Sequence, residues 1–184
     1  MTKRLSVLLA LLLWVAWPVG ASASTSAFVA CASHAAATNL EAQTRFQQQL
    51  RDHVADTRPA LVPLATLNMD LQIALAELRR AKIEYLLARN PDRIETRLGF
   101  ARFTNFGWSE TDETKFLAES DENKAMQERV AQLSARNNGH ADWPELRKYF
   151  RDMLGIDEGF KAIMAEKSAN RRNVEELLEG CRRD

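Results

Sequence analysis

Leu64, Leu67, Leu71, Ala74, Leu78, Ala81, Tyr85 and Ala88 follow one another at alternating spacings of 3 and 4. That rhythm is the seam of a helix packed lengthwise against other helices. No Gly or Pro interrupts the stretch, and Ala, Leu, Arg, Glu and Lys, all strong helix formers, dominate it. Ile73, Leu75, Ile83, Leu86 and Leu87 widen the apolar surface beyond a thin stripe. A helix apolar over so much of its girth is expected inside a bundle, touching several neighbours.

Weaker stripes flank it. Ala35, Ala42, Phe46, Leu50 and Val54 give an inner face to a first helix that ends near Asp56. Its start is open: it begins either near Ser26 or at Thr38, where Thr38-Asn39-Leu40-Glu41 fits a capping box. Arg58-Pro59 to Pro63 is the turn into the central helix, which ends near Arg89. Asn90-Pro91-Asp92 reads as stop and restart, with Asn90 as cap of a third helical segment carrying Ile94, Leu98 and Ala101 inward. Ser109 and Asp112 cap the next helix, whose apolar positions include Phe116, Leu117, Met126, Val130 and Leu133. Its polar residues 118–124 predict a break near Ser120-Asp121, and Asn137-Asn138-Gly139 stops it. Asp142-Trp143-Pro144-Glu145 opens a short helix with Leu146, Phe150 and Met153 inward, ended by Gly155. Asp157 starts the last helix, where Phe160, Ile163, Lys167, Asn170, Val174, Leu177 and Cys181 again step by 3 and 4. No segment alternates as a strand does. The expected fold is an all-α, single-domain bundle of about four main helices plus one or two short ones.

The N-terminus is a different kind of segment. Lys3 and Arg4 precede an apolar run from Leu5 to Trp17, and Ala21-Ser22-Ala23 has the small-x-small pattern of a signal-peptidase site. The run is shorter than the roughly 20 apolar residues that span a bilayer. Residues 1–23 are therefore read as a cleaved secretory signal peptide, and the protein as periplasmic or secreted. An uncleaved anchor is one alternative. Lipid on Cys31 is another, though Phe28-Val29-Ala30 makes a poor lipobox. No second apolar span is evident, so residues 24–184 are expected to form a soluble domain. The leader takes two of the 25 basic residues and none of the 25 acidic ones, which leaves a net charge of −2. A near-neutral exported chain lacks the electrostatic footprint of a nucleic-acid binder.

Cys31 and Cys181 are the only cysteines. In an oxidising compartment they are most simply one disulfide joining the two ends of the mature chain; free thiols or an intermolecular bridge are the alternatives.

Motifs for catalysis are missing. His34, His53 and His140 are scattered, and the cysteines are not spaced as zinc ligands, so no metal site is expected. There is no CxxCH, GxSxG, phosphate loop or dinucleotide fingerprint, and no cofactor is expected. Two constellations stand out. Glu166, Lys167, Asn170 and Arg171 interrupt the apolar face of the last helix and are candidate ligand-binding residues, or a face turned to water. Phe100 to Trp108 holds four of the fourteen aromatics. Phe106, Trp108 and neighbouring Arg102 are candidate partner-binding residues, with core packing as the alternative. Arg79–Arg102 carries seven basic and three acidic residues, and Glu110–Glu122 carries six acidic residues and one lysine. Complementary fields of this kind steer protein partners.

Pro59-Ala60-Leu61 through Leu78-Arg79-Arg80-Ala81-Lys82-Ile83-Glu84-Tyr85-Leu86-Leu87-Ala88 resembles the second-helix region of periplasmic four-helix sensory domains of chemoreceptors. Leu78 to Asn90 is also similar to a helix of exported LprI-like lysozyme inhibitors. Both likenesses cover only this helix and its lead-in. The chain lacks the chemoreceptor's second membrane span and the inhibitors' cysteine pattern, so neither family is assigned.

The expected function is a non-catalytic binding protein acting on another envelope protein: an immunity, inhibitor, adaptor or chaperone-like role. A stand-alone small-ligand-binding or sensory bundle is the second expectation, with a polar pocket near Lys167 and Asn170. An α-bundle enzyme with a polar interior site is the third. A homo-oligomer is compatible with each.

Overall fold

The computed structural model describes residues 20–96 and 99–181, with side chains from residue 25 onward. Among these residues the chain forms seven α-helices and no strand: α1 (Gly20–Thr57), α2 (Val62–Arg89), α3 (Gly99–Thr104), α4 (Glu110–Glu119), α5 (Asp121–Asn138), α6 (Trp143–Ile156) and α7 (Glu158–Gly180). The all-α architecture expected from the periodicity is the one that forms. Residues 1–19 of the expected signal peptide, and Leu98 of the expected third stripe, lie outside the described residues.

The four long helices lie in the spatial order α7–α1–α2–α5. α1 packs on both α2 and α7, while α5 packs chiefly along α2. α2 therefore has two buried sides. Leu71, Ala74 and Leu78 of its 3–4 seam are buried on one side, and Ile83 and Leu87 on the other, where they join the core shared with α1. This double burial accounts for the apolar girth of α2. Length and composition alone would let Pro59–Arg89 cross a membrane, contrary to the expectation that no second such stretch exists; 44% of its apolar window is buried within the protein.

α1 and α7 run antiparallel. Cys31 and Cys181 are bonded at one end, with Cα atoms 5.4 Å apart. Towards the other end His53 Nε2 lies 3.6 Å from Asp157 Oδ1. Each end has its own core. Ala32, Ala35, Leu86, Phe103 and Val174 are buried around the disulfide. Val54, Leu61, Leu64, Leu146 and Tyr149 form the second core.

Local signals set most boundaries. Ser109 accepts from the Asp112 N–H while the Asp112 carboxylate accepts from the Ser109 N–H, a complete capping box for α4. Ser120 ends α4 and caps α5, accepting from the Asn123 N–H at the predicted break. Asp157 caps α7 by accepting from the Phe160 N–H at 2.6 Å.

Three expectations need correction. Thr38 is not a cap: α1 runs unbroken through it. Ala32, Ala35 and Ala36 are buried in the core, so packing and alanine's high helix propensity carry the helix past the local capping signal. The third helix does not form over Ile94–Ala101. Asn90 makes no side-chain cap bond, Pro91–Arg93 is one 3-10 turn, and Ile94 is extended. Burial of Ile94 and a 3.2 Å hydrogen bond from the Thr96 hydroxyl to the Cys181 carbonyl pin this segment across the end of α7. Gly99, at φ +74°, has a left-handed backbone that helices do not continue through, so α3 starts afresh there. In α6 the buried aromatic is Tyr149 rather than Phe150, and the helix runs past Gly155 to Ile156.

Candidate functional site

The two cores leave a gap between them. On α1 it lies between Ala36 and Val54, and on α7 between Phe160 and Val174. A cleft of about 280 Å³ occupies it. Its walls are two i, i+3/i+4, i+7 sets that face each other. α1 contributes Asn39, Ala42, Gln43 and Phe46, and α7 contributes Met164, Lys167, Ser168 and Arg171. Asn170 and, from α3, Phe100 complete it. The short side chains Ala42 and Ser168 leave the space unfilled.

The polar groups of this cleft are unevenly satisfied. Asn39 is only 8% exposed, and its amide, which bonds no described residue, opens on the cleft. The Ser168 hydroxyl is committed to the Met164 carbonyl at 2.9 Å. The Lys167 ammonium sits 4.4 Å from the centre of the Phe46 ring and has no carboxylate within ion-pair distance among the described residues. The Arg171 guanidinium lies 5.6 Å from the Phe100 ring and pairs with Glu175 at 3.1 Å. No carboxylate lines the cleft.

Lys167, Asn170 and Arg171, singled out on the last helix, thus meet around one cleft. Glu166 does not join them. It accepts from the Gln49 amide at 2.7 Å and lies 3.8 Å from Arg45. The wall residues Asn39 and Phe100 were not marked as site residues. The spacing of Asn39, Gln43 and Phe46 by 4 and 3 is the matching signal on α1, usable once the helix is known to run through Thr38.

The aromatic stretch makes an inward-turned knot on α2 and α4. Trp108 is half-buried, edge-on to Tyr85, Phe116 and Phe106. Its indole N–H donates to Glu113, and Lys82 lies 4.9 Å over its ring and 2.6 Å from the same carboxylate. Beside it, Arg93 forks onto both Asp112 oxygens, at 2.7 and 2.8 Å, and donates to the Gly107 carbonyl at 2.8 Å. These bonds, with the capping Ser109, hold the Asp112 carboxyl far below the usual carboxylate range, and the same pair raises the Arg93 guanidinium. Gly107, at φ +62°, lets the loop turn back over α4. Phe106 is half-buried and Arg102 exposed. Recesses of about 200 and 330 Å³ flank Phe106, the first reaching Arg79 and the second Arg102.

His53 belongs to the second core. Its ring meets Phe160 and Tyr149 at 5.6 and 6.2 Å, and its acidic neighbour is Asp157. The Tyr149 and Thr57 hydroxyls share a hydrogen bond, and burial pushes the phenol up from its ordinary value. Among the described residues no three His, Cys, Asp or Glu side chains gather as a metal site. No protein-family model, curated protein or solved structure matches the chain.

Proposed function

We propose that this is an exported, non-catalytic helical binding protein that takes a small ligand in the α1–α7 cleft. The convergence of the Asn39, Gln43 and Asn170 amides and the Lys167 ammonium on one recess carries the reading. Convergent polar groups in a mostly apolar recess are what small-molecule sites are made of. Export is supported by the leader pattern of residues 1–23 and by a disulfide that oxidising compartments favour. Cleavage after Ala23 would remove only the first four residues of α1.

A thermal-shift screen of small metabolites against the purified protein tests this. A true ligand raises the wild-type midpoint, and Asn39→Ala abolishes the rise. A rise that survives both Asn39→Ala and Phe46→Ala places the ligand elsewhere and removes the proposal.

A protein partner at the Asn105–Trp108 loop is the second reading. It is favoured by the recesses that flank Phe106 and by the exposed Arg79 and Arg102 beside them. A pull-down from an envelope extract separates the two. One dominant protein lost with Phe106→Ala but kept with Asn39→Ala favours this second reading.

A further inference from the structure

We infer that the cleft takes an amphipathic monoanion: one carboxylate on a flat apolar body of one or two rings. The inference rests on the cleft being the ligand site. Charge sets the sign. Two cations and no carboxylate line the cleft, and the nearby Glu166 and Glu175 are already engaged by Gln49 and Arg171. Charge also sets the number. Arg171 shares its charge with Glu175, so only the Lys167 ammonium is left to be neutralised. Position gives a phosphate little backbone grip. The two main walls are the middles of α1 and α7, where backbone N–H groups are spent within the helices, and the one helix start at the cleft is that of the six-residue α3, which contributes Phe100. Recognition falls to side chains, and the Asn39, Gln43 and Asn170 amides beside one ammonium suit a carboxylate. Phe46, Phe100, Met164 and Ala42 supply the apolar contact. The volume of about 280 Å³ lies at the lower edge of ordinary ligand sites, enough for one or two rings.

Isothermal titration with 2-naphthoate, 2-naphthalenemethanol and 2-naphthyl phosphate tests the inference. Wild-type protein should bind the carboxylate at least tenfold more tightly than the alcohol and no less tightly than the phosphate. Lys167→Met should bring the carboxylate down to the alcohol's level and leave the alcohol within twofold. Lys161→Met, the same charge change six residues away on α7, should leave both unchanged. Lys167 is exposed, so its variant should melt as wild type does. Equal binding of carboxylate and alcohol, both lost with Phe46→Ala, overturns the monoanion and leaves the cleft standing. Tenfold preference for the phosphate, an equal loss in Lys161→Met, or no binding of any probe also overturns the monoanion. In that last case the cleft itself is judged by the metabolite screen.

Discussion

Asn39 is a residue whose replacement by alanine should separate stability from binding. It sits mid-helix, where Asn is a poor helix former, and its amide opens on the cleft without a partner among the described residues. Asn39→Ala should therefore stabilise the ligand-free protein by about 0.5 kcal/mol, read from chemical denaturation, while weakening ligand binding. A destabilised variant would mean that the amide serves packing alone. Asp112 predicts the opposite sign. Its carboxyl is held far below the ordinary value of 3.8 by Arg93 and Ser109. A lowered folded-state pKa means stability is complete above the unfolded value and drains away as pH falls through the folded one. Asp112→Asn should cost on the order of 1–3 kcal/mol at pH 7 and shrink the stability difference between pH 7 and pH 3. An unchanged acid limb would show that the Arg93 fork is not made in solution.

Elements differ in how firmly they are held, and α6 packs only lightly on its neighbours α2 and α7. It is anchored by Leu146 and Tyr149, with Phe150 and Met153 packed at the edge, while Ile156 at its end is 73% exposed. Few buried apolar contacts mean a low local opening energy. Amide hydrogen exchange should be faster in α6 than in α2, whose two sides are both buried. Equal protection would mean that α6 opens only with the whole fold. The same physics decides what the sequence could reveal. α2, α4, α5 and α7 were legible because caps and stripes agree, as at Ser109, Ser120 and Asp157. Thr38 and Asn90 carry equally good local signals that lost to tertiary packing, one to the buried alanines and one to the Ile94–Thr96 segment crossing α7. Three of the cleft's ten lining residues were legible in the same way. Lys167, Asn170 and Arg171 break a stripe on one helix, whereas Phe100 reaches them only through the fold.

At the scale of the whole molecule, the helices form an open series rather than a closed ring, and the disulfide acts on one end of it. It joins residues 150 apart in sequence. In the chain-entropy account, closing so long a loop restrains the unfolded chain by up to about 5 kcal/mol, an ideal ceiling. Replacing Cys31 and Cys181 by serine and alanine should lower stability by roughly 2–5 kcal/mol. At 2–4 °C per kcal/mol for a chain of this size, the midpoint should fall by about 4–20 °C. The local effect has a predictable address. The Cys181 carbonyl accepts the Thr96 hydroxyl, and Val174, Leu178 and Phe103 share the core beside the bridge. Without the bond, the end of α7 and residues 94–104 should gain the most hydrogen exchange. α5 should gain least, because it packs chiefly along α2 and lies at the far side of the series. A uniform gain that includes α5 would instead mean that the array opens as a single cooperative unit, with the disulfide setting its global stability and nothing local.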